Sequence, residues 1–299
     1  MSLKVVLTGA AGRLGREVCK GLAEAGYDVW AVDKTYRPGL PVRLEVADLL
    51  DEPTAYRLLE GRDALVHLAN HPGPRGNVTP QRLYAENVTM NANVFQAAVD
   101  VGVGRIVFAS SVQALSGDRH GRDEEKVLSL PSCLAYLPID GEAPPCPGNT
   151  YALSKVAGEQ MLRFYAARDE ELSCTAVRFP FLMAEEHIEW AREHAKQAGR
   201  KQRFWGNPDE GFAYLVMSDA ASLVAALLDR QGPGYHQLFP AAPDNHLEMP
   251  LSEIVERYYG GVPLKTPVEQ MRGLVDISAI TEAVGWVPHR VNVFAGDES

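Results

Sequence analysis

The stretch Lys4–Gly15, KVVLTGAAGRLG, decides the fold of this chain. It begins with an apolar, β-branched run of the kind that forms a buried strand. Three glycines follow, Gly9, Gly12 and Gly15, in the spacing G-x-x-G-x-x-G, and apolar residues then recur every four positions from Leu14 to Leu22. That recurrence is the stripe of an amphipathic helix. The stretch therefore predicts a strand, a tight glycine turn and a helix in immediate succession.

Each glycine of this turn has its own physical task. Gly9 allows the tight turn, Gly12 lets a pyrophosphate approach the backbone, and Gly15 lets the helix pack closely on the strand. The N–H groups at the start of the helix then face the anion. A dinucleotide site is predicted here, and the neighbouring Arg13 and Leu14 belong to it.

Asp33 is predicted to select the cofactor. It ends the second strand-like run, eighteen residues after Gly15, where a carboxylate accepts a hydrogen bond from a ribose 2′-hydroxyl. The same carboxylate repels a 2′-phosphate, which favours NAD over NADP. However, Arg13, Lys34 and Arg37 offer countercharge, so NADP stays open as an alternative.

Further β-branched runs alternate with helical patterns through the first 180 residues. They lie at 28–33, 43–48, 64–69, 105–110 and 174–179. Runs that are apolar on both faces and alternate with helices are typical of a parallel sheet covered on both sides. The pattern predicts an α/β protein with a Rossmann-type, doubly wound parallel sheet.

The regular alternation weakens after residue 180. Helices are predicted near 183–199, 218–230 and 251–259 in a proline-punctuated tail. We expect residues 1–180 to form the dinucleotide-binding domain and 181–299 a smaller C-terminal α/β lobe for the substrate, with an approximate boundary that the chain is free to cross again. The irregular, proline-rich segment 116–149 is predicted to be a lid or binding loop.

Composition and charge exclude several classes of protein. The chain has 299 residues, 46% hydrophobic and 23% charged, and its formal net charge of −10 with no basic block argues against a nucleic-acid surface. No apolar run is long enough for a membrane span, and the N-terminal run is too short for an export signal. The four cysteines lack C-x-x-C spacing, which favours reduced thiols in the cytoplasm over disulfides or a zinc site.

A series of motifs carries a resemblance to a known family. They are TGAAGRLG at 8–15, Asp33, Asp48-Leu49, HLAN at 67–70, Asn87, FASS at 108–111 and YALSK at 151–155. In this order they resemble the extended short-chain dehydrogenase/reductase family, the NAD-dependent sugar epimerases and dehydratases, including members like uronate dehydrogenase.

The resemblance implies three catalytic residues. Tyr151 is the acid or base, Lys155 binds the nicotinamide ribose, and Ser111 orients the substrate oxygen. A phenol with an ordinary pKa near 10 must be made more acidic, and an ammonium on the same helical face, together with the oxidised nicotinamide, stabilises the phenolate. Ser110 is the alternative to Ser111, but it points to the opposite side if the strand continues.

The resemblance also implies further contacts to the cofactor. Asp48 and Leu49 match the adenine contacts, although Asp48 is also placed to cap the next helix. Leu68 and Ala69 match the backbone beneath the pyrophosphate and the nicotinamide ribose, although a buried strand end has the same appearance.

Four other polar residues near these motifs are given lesser roles. Asn87 matches an asparagine that is usually structural, and His67 is predicted to be a hydrogen-bonded core histidine. His71 and Arg75 lie in a loop at the same edge of the sheet, where substrate contact and simple solvation are both open.

The chain also departs from the family pattern in places that bear on the reaction. The 4,6-dehydratases carry acidic residues directly after the serine or threonine, whereas Val112 and Gln113 stand there in this chain. Dehydration is therefore disfavoured. Arg203 and Arg178 are the candidates to bind a substrate diphosphate, although Arg178 is also expected to pair within the fold.

The resulting hypothesis is an NAD-dependent enzyme that oxidises a sugar hydroxyl. Family prevalence favours an epimerase acting on a sugar or nucleotide sugar. A net sugar or uronate dehydrogenase is the alternative, and a non-catalytic NAD-sensing protein is the second. A homodimer through helical faces such as 84–99 and 151–168 is possible by the same resemblance.

Overall fold

Seven parallel strands form the main sheet of the computed structural model, which describes residues 2–74, 76–189, 207–245, 247 and 249–294. In chain order they are β1 (Lys4–Thr8), β2 (Asp28–Asp33), β3 (Leu44–Val46), β4 (Ala64–His67), β5 (Arg105–Ala109), β6 (Ser173–Val177) and, after a small separate sheet, β9 (Gly234–Leu238). Their spatial order is β3-β2-β1-β4-β5-β6-β9. The small parallel sheet pairs β7 (Phe181–Met183) with β8 (Tyr214–Val216).

Helices cover both faces of the main sheet. In chain order the described helices are α1 (Arg13–Glu24), α2 (Glu52–Leu59), α3 (Pro80–Asp100), α4 (Glu124–Ser129), α5 (Thr150–Ala166), α6 (Met217–Arg230), α7 (Leu251–Tyr258) and α8 (Ser278–Val284). Of these, α4 and α7 pack in a separate apolar cluster instead. Leu22 of α1 and Leu227 of α6 are buried in the apolar layer on one face. Leu58 of α2, Phe95 of α3 and Leu162 of α5 are buried on the other. The doubly wound α/β fold predicted from the sequence is thereby confirmed.

The order of the strands creates a crevice at one edge of the sheet. The chain runs outward from β1 through β2 to β3, then returns to place β4 on the other side of β1. The loops that follow β1 and β4 therefore diverge at the carboxyl ends of the strands, which is where ligands bind in such sheets. The glycine turn and the loop after β4 border this crevice.

Part of the tail returns to the main sheet. Strand β9 pairs in parallel with β6 from Ser173 and Gly234 to Val177 and Leu238, and α6 packs against α1. The helix predicted at 218–230 is thus present, whereas β9 was not predicted because half of GYHQL is polar. The domain boundary at residue 180 stays a prediction.

The other two predicted tail helices have different outcomes. The helix predicted at 251–259 is α7. In the segment predicted as helical at 183–199, Met183 ends β7 and a short 3₁₀ turn spans Glu185–His187, while residues 190–199 lie outside the described residues. No helix within the described part of the chain has the length and apolarity to span a membrane.

The irregular segment before α5 is packed against the tail. Leu137 and Ile139 form isolated parallel bridges with Leu264 and Val275, and both side chains are buried in a separate apolar cluster with Tyr258 of α7. The predicted lid is therefore part of the smaller lobe's core, since its apolar residues find partners in the tail.

Candidate active site

The glycine turn after β1 fits closely against the loop after β4. Gly9 has a φ of +71°, in the left-handed region that favours glycine. A Cβ at Gly9 would lie 2.7 Å from the Ala69 nitrogen and 2.8 Å from the Leu68 carbonyl carbon. The two segments thus form one continuous backbone floor, and only glycine permits it.

The start of α1 is suited to bind an anion. A Cβ at Gly15 would lie 2.1 Å from the Gly9 oxygen, so the helix approaches the turn this closely only because Gly15 has no side chain. Gly12 precedes α1 without a capping hydrogen bond from a side chain of the described residues. The N–H groups of the first turn are therefore not bonded to such a cap and can donate to a pyrophosphate.

Asp33 holds the turn and faces the same crevice. Its Oδ2 accepts a hydrogen bond from the Ala11 N–H at 3.0 Å, and its Oδ1 accepts one from the Thr35 N–H at 2.9 Å. Each carboxylate oxygen retains a lone pair that suits a ribose hydroxyl. Lys34, a candidate countercharge for a 2′-phosphate, lies 3.2 Å from Asp48 instead.

Asp48 does not cap the following helix. The cap of α2 is Asp51, whose Oδ2 accepts from the Thr54 N–H at 3.2 Å. Asp48 instead accepts from the Leu50 N–H at 3.1 Å and lines the crevice. Of the two roles considered for Asp48, capping of α2 is wrong, and the adenine contact stays a prediction.

One cavity of about 580 Å³ brings the predicted residues together. It is lined by every residue predicted to bind the cofactor or to act in catalysis, namely Gly9, Gly12, Arg13, Leu14, Gly15, Asp33, Asp48, Leu49, Leu68, Ala69, Ser111, Tyr151 and Lys155. Its floor, its anion-binding helix start and its carboxylate suit an NAD molecule.

The cavity also has walls that the sequence-based prediction omitted. Phe179, Pro180, Phe181 and Leu182 line it, together with Met217 at the start of α6. The first four lie two to five residues beyond the end of β6, at the same carboxyl edge of the sheet as the glycine turn. Their position after a predicted strand is the signal by which they were detectable.

Ser111 and Tyr151 meet at one end of the cavity. Asn149 caps α5 by accepting from the Ala152 N–H at 2.8 Å, which places Tyr151 in the first turn of the helix. Ser111 lies two residues beyond β5, and its side chain is near enough to that of Tyr151 to lower the pKa of the phenol. Ser110 instead donates to Glu159 at 2.5 Å, so Ser111 is the serine that meets the tyrosine.

Lys155 lies one turn below Tyr151 and is buried. Its Nζ is 5.5 Å from the centroid of the Tyr151 ring. It donates to Asn70 Oδ1 and to the Ala109 oxygen, each at 2.7 Å. An ammonium has three donors, so one remains for a group in the cavity. Burial lowers the pKa of Lys155 to about 7, and the charge of Glu159 opposes that shift.

The groups of the protein around Tyr151 act on its pKa in two directions. Burial raises it, and the nearby Ser111 side chain opposes the rise. Lys155 was expected to lower it, but the lysine is itself desolvated and only partly charged near neutral pH. A further positive charge in the cavity would favour the phenolate.

His67 is a core residue, as predicted. Its Nδ1 is 2.7 Å from the Thr8 hydroxyl and its Nε2 is 3.0 Å from Asn91 Oδ1. The ring contacts Phe95 edge-on and stacks on Phe108. Burial, with the charge of Lys155, lowers the pKa of His67 to about 3. The imidazole is therefore neutral, and both of its ring nitrogens are hydrogen-bonded within the protein.

Asn87 ties the loop after β4 to α5. Its Nδ2 donates to the His71 oxygen and to Ser154 Oγ, each at 3.1 Å, and its Oδ1 accepts from the His71 N–H at 2.7 Å. The His71 ring lines the cavity and is bonded to Glu86 at 2.6 Å. Arg75, which was considered with His71, lies outside the described residues.

The diphosphate candidates have different outcomes. Arg178 is fully buried and donates through Nε and Nη2 to the two carboxylate oxygens of Glu159, at 2.9 and 2.8 Å. It therefore pairs within the fold. Arg203 lies outside the described residues. Gln113, where dehydratases carry an acid, accepts from Asn149 Nδ2 at 3.2 Å.

Comparison with known families agrees with this geometry. The model of the NAD dependent epimerase/dehydratase family matches residues 5–238. The chain belongs to this family. It is an enzyme of the extended short-chain dehydrogenase/reductase type, a group whose dehydrogenases and epimerases depend on NAD.

Its relatives in the NAD dependent epimerase/dehydratase family include both reaction types. L-arabinose 1-dehydrogenase (NAD(P)(+)) of Haloferax volcanii is 30% identical over 69% of this chain and 78% of that protein. Uronate dehydrogenase of Pseudomonas putida is 33% identical, over 55% of this chain and 56% of that protein. The structure of UDP-glucose 4-epimerase from Bifidobacterium longum with NAD+ and UDP has a TM-score of 0.67 at 20% identity, covering 97% of this chain and 94% of that one.

Proposed function

We propose that this enzyme oxidises a sugar hydroxyl by hydride transfer to NAD, with Tyr151 as the base. The observation that carries the proposal is the arrangement within one cavity. Ser111, Tyr151 and Lys155 lie at one end, and Asp33 with the glycine turn lies at the other. A dinucleotide spanning this cavity presents its nicotinamide to the catalytic residues.

The side chains divide the work between them. Ser111 and Tyr151, which line the same cavity, bracket the position of the substrate oxygen, and Tyr151 takes the hydroxyl proton as the C–H bond breaks. The spare donor of Lys155 binds a ribose hydroxyl, and its charge stabilises the phenolate. NAD, when bound, supplies the hydride acceptor and a positive charge beside the phenol.

A net dehydrogenase acting on a free sugar or sugar acid is the form of this chemistry that we favour. The sugar dehydrogenase at 30% identity is matched over 78% of its length, whereas the epimerases among the sequence relatives, at 28% to 30% identity, are matched over 44% to 49% of theirs. Arg178, one of two diphosphate candidates, is sequestered by Glu159. Epimerisation of a nucleotide sugar, favoured by prevalence in the sequence analysis, is the alternative.

A spectrophotometric screen separates these forms. The purified protein is mixed with NAD or NADP and with free aldoses, uronic acids or nucleotide sugars, and absorbance is followed at 340 nm. We expect NADH to accumulate with a free sugar or sugar acid. Interconversion of a nucleotide sugar by NMR without net reduction would establish the epimerase, and NAD binding with neither would support the NAD-sensing alternative.

Tyr151→Phe tests the catalytic assignment. Loss of the phenol removes the base, so turnover should fall about 100- to 10,000-fold, while the affinity for NAD measured by calorimetry stays close to that of the wild type. Tyr165→Phe is a matched control, because Tyr165 is on the same helix and bonds to Gln96 outside the cavity. Undiminished turnover in Tyr151→Phe would refute the role of this residue.

We further propose that the chain forms a homodimer through α3 and α5. Leu153 and Phe164 are 44% and 49% exposed on the face of α5 that the sheet does not cover. A second copy related by two-fold symmetry would place the same apolar residues opposite one another. Light scattering should give twice the chain mass, and Leu153→Asp with Phe164→Asp should give the monomer.

We place the protein in the cytoplasm. All four cysteines are free thiols, with Cys19 and Cys174 buried and Cys133 and Cys146 half-buried. Free thiols persist where the compartment is reducing. Fractionation of the source cells tests this location.

A further inference from the structure

Glu159 is a buried carboxylate one helical turn beyond Lys155 that the proposed chemistry does not use. Its side chain has no exposed surface, and neither has that of its partner Arg178. The pair is bidentate, at 2.9 and 2.8 Å. A buried ion pair of this kind carries a desolvation cost and is weak evidence for stability. Its position beside the catalytic lysine suggests a different purpose.

The pair joins the segments that carry the catalytic residues. Ser110, at the end of β5, donates to Glu159 Oε1 at 2.5 Å. Arg178, just beyond β6, donates through Nη1 to the Ala143 oxygen at 2.6 Å, in the segment that leads to α5. Ser111 follows Ser110, and Tyr151 and Lys155 lie on the helix of Glu159. A single carboxylate therefore fixes both segments that form the site.

Within the described residues, the groups that contact Lys155 Nζ are neutral. The His67 imidazole from β4 is neutral, because burial lowers its pKa to about 3. The Asn70 amide and the Ala109 carbonyl accept from Nζ, and the Phe108 ring centroid is 4.8 Å away. Among the described side chains, the charge that raises the pKa of Lys155 against its burial is that of Glu159.

We propose that Glu159, oriented by Arg178 and Ser110, is a positioning residue that keeps the buried Lys155 ammonium charged and aligned with Tyr151. Glu159 acts through Lys155, which lies between it and Tyr151 at four-residue spacing on the same helix. The catalytic consequence rests on the proposed function, but the charge of the lysine can be measured without any substrate.

The direct test is the titration of Lys155 followed by NMR of the full chain labelled with ¹³C at the lysine ε carbon. The resonance of Lys155 is identified by its loss in Lys155→Met. In Glu159→Gln the midpoint should move to lower pH by about one unit or more, since a close opposite charge is worth about 1–3 units. An unchanged midpoint overturns the proposal.

Two further variants keep the result interpretable. If Glu159→Gln does not fold, the double variant Glu159→Gln/Arg178→Met removes both buried charges and is still expected to titrate below the wild type. Ser110→Ala is the matched control, because it removes a neutral hydroxyl from the same carboxylate and should leave the midpoint within a few tenths of a unit. A shift in Ser110→Ala as large as that in Glu159→Gln would show that packing, not charge, is the cause.

The pH profile supplies the functional readout. Because Lys155 is active as the ammonium, a lower pKa means that the charge is lost at lower pH. In Glu159→Gln the alkaline fall of kcat should therefore move to lower pH by the same interval as the NMR midpoint, with KM for NAD changed much less. If the screen finds no substrate, the proposed function fails while the NMR result still decides the role of Glu159.

Discussion

At the scale of single residues, His67 and Lys155 show how hydrogen bonding separates a core residue from a catalytic one. Both are buried at the same end of the sheet. Both ring nitrogens of His67 have partners in the protein, so nothing is left for a ligand. Lys155 has two hydrogen-bond partners among the described residues for its three donors. The unsatisfied donor, rather than the residue type, marks Lys155 as part of the site.

His67 should impose a measurable dependence of stability on pH. Its pKa is about 3 in the folded chain and about 6.5 when unfolded, so between these values the unfolded state binds one more proton. Stability should therefore be full above about pH 6.5 and fall on acidification, by at most about 1.4 kcal/mol per pH unit. Denaturant unfolding from pH 7.5 to 4.5 measures the slope.

The slope is assigned to His67 by substitution. His67→Gln should have a lower unfolding free energy than the wild type at pH 7.5. On acidification its unfolding free energy should fall less steeply, by up to about 1.4 kcal/mol per pH unit, which is the contribution of one proton. His187→Gln, at an exposed position, should leave the slope unchanged. Equal slopes in His67→Gln and the wild type would mean that other groups dominate acid unfolding.

Asp33 should govern the choice between NAD and NADP. A carboxylate that bonds to a ribose hydroxyl contributes about 1.5–3 kcal/mol, so Asp33→Ala should weaken NAD relative to NADP by about tenfold or more. Asp33→Asn separates charge from structure, because its amide oxygen still accepts from one of the N–H groups that Asp33 now binds. Calorimetric Kd values for both cofactors check this, and an unaltered ratio would remove Asp33 from ribose recognition.

Sequence alone predicted the residues that this cavity brings together, because each of them follows a strand or opens a helix with a clear sequence pattern. Their catalytic and cofactor-binding roles stay predictions. The sequence did not locate the pairing of Glu159 with Arg178, since nineteen residues separate them and nothing local in the chain indicates which strand end meets which helix. The rise that burial imposes on the pKa of Tyr151 is not visible in the sequence for the same reason. Depth of burial is a property of the assembled fold.

At the scale of elements, strands were predictable where both faces are buried. The runs at 4–8 and 28–33 coincide with β1 and β2, and 105–110 differs from β5 by one residue. Strand β9 was not predicted because it lies at the edge of the sheet. An edge strand is only partly buried, so its sequence, GYHQL, is not uniformly apolar. The short β7 and β8 were missed because they lie in the tail, where strands and helices do not alternate regularly.

The contact between the glycine turn and α1 gives an element-scale prediction. A Cβ at Gly15 would lie 2.1 Å from the Gly9 oxygen, so Gly15→Ala must push the helix away from the turn. We expect a loss of about 3 kcal/mol in unfolding free energy and weaker NAD binding. Gly232→Ala is the control, because a Cβ there meets no described atom within 4 Å. Equal stability of the two variants would refute this close approach.

At the scale of the whole molecule, the tail completes the domain that binds the cofactor. Helix α6 shares its apolar layer with α1, the helix that opens the anion site, and β9 covers the edge of β6. Residue 180 therefore divides the sequence, but residues from both sides of it pack in the same apolar layer. The irregular segment before α5 is likewise buried against the tail, which links the smaller lobe to the catalytic helix.

This architecture predicts that both sides of residue 180 unfold together. Leu228 of α6 and Leu58 of α2 are buried in opposite apolar layers, and truncation of either to alanine should cost about 2–5 kcal/mol. Because the sheet connects the layers, each variant should show one cooperative transition, lowered by similar amounts, in far- and near-ultraviolet circular dichroism. If Leu228→Ala produced a separate early transition while the rest of the chain kept the wild-type midpoint, residues 1–180 would be an independent folding unit. The division of the chain at residue 180 would then be a true domain boundary, and α6 and β9 would be accessory to it.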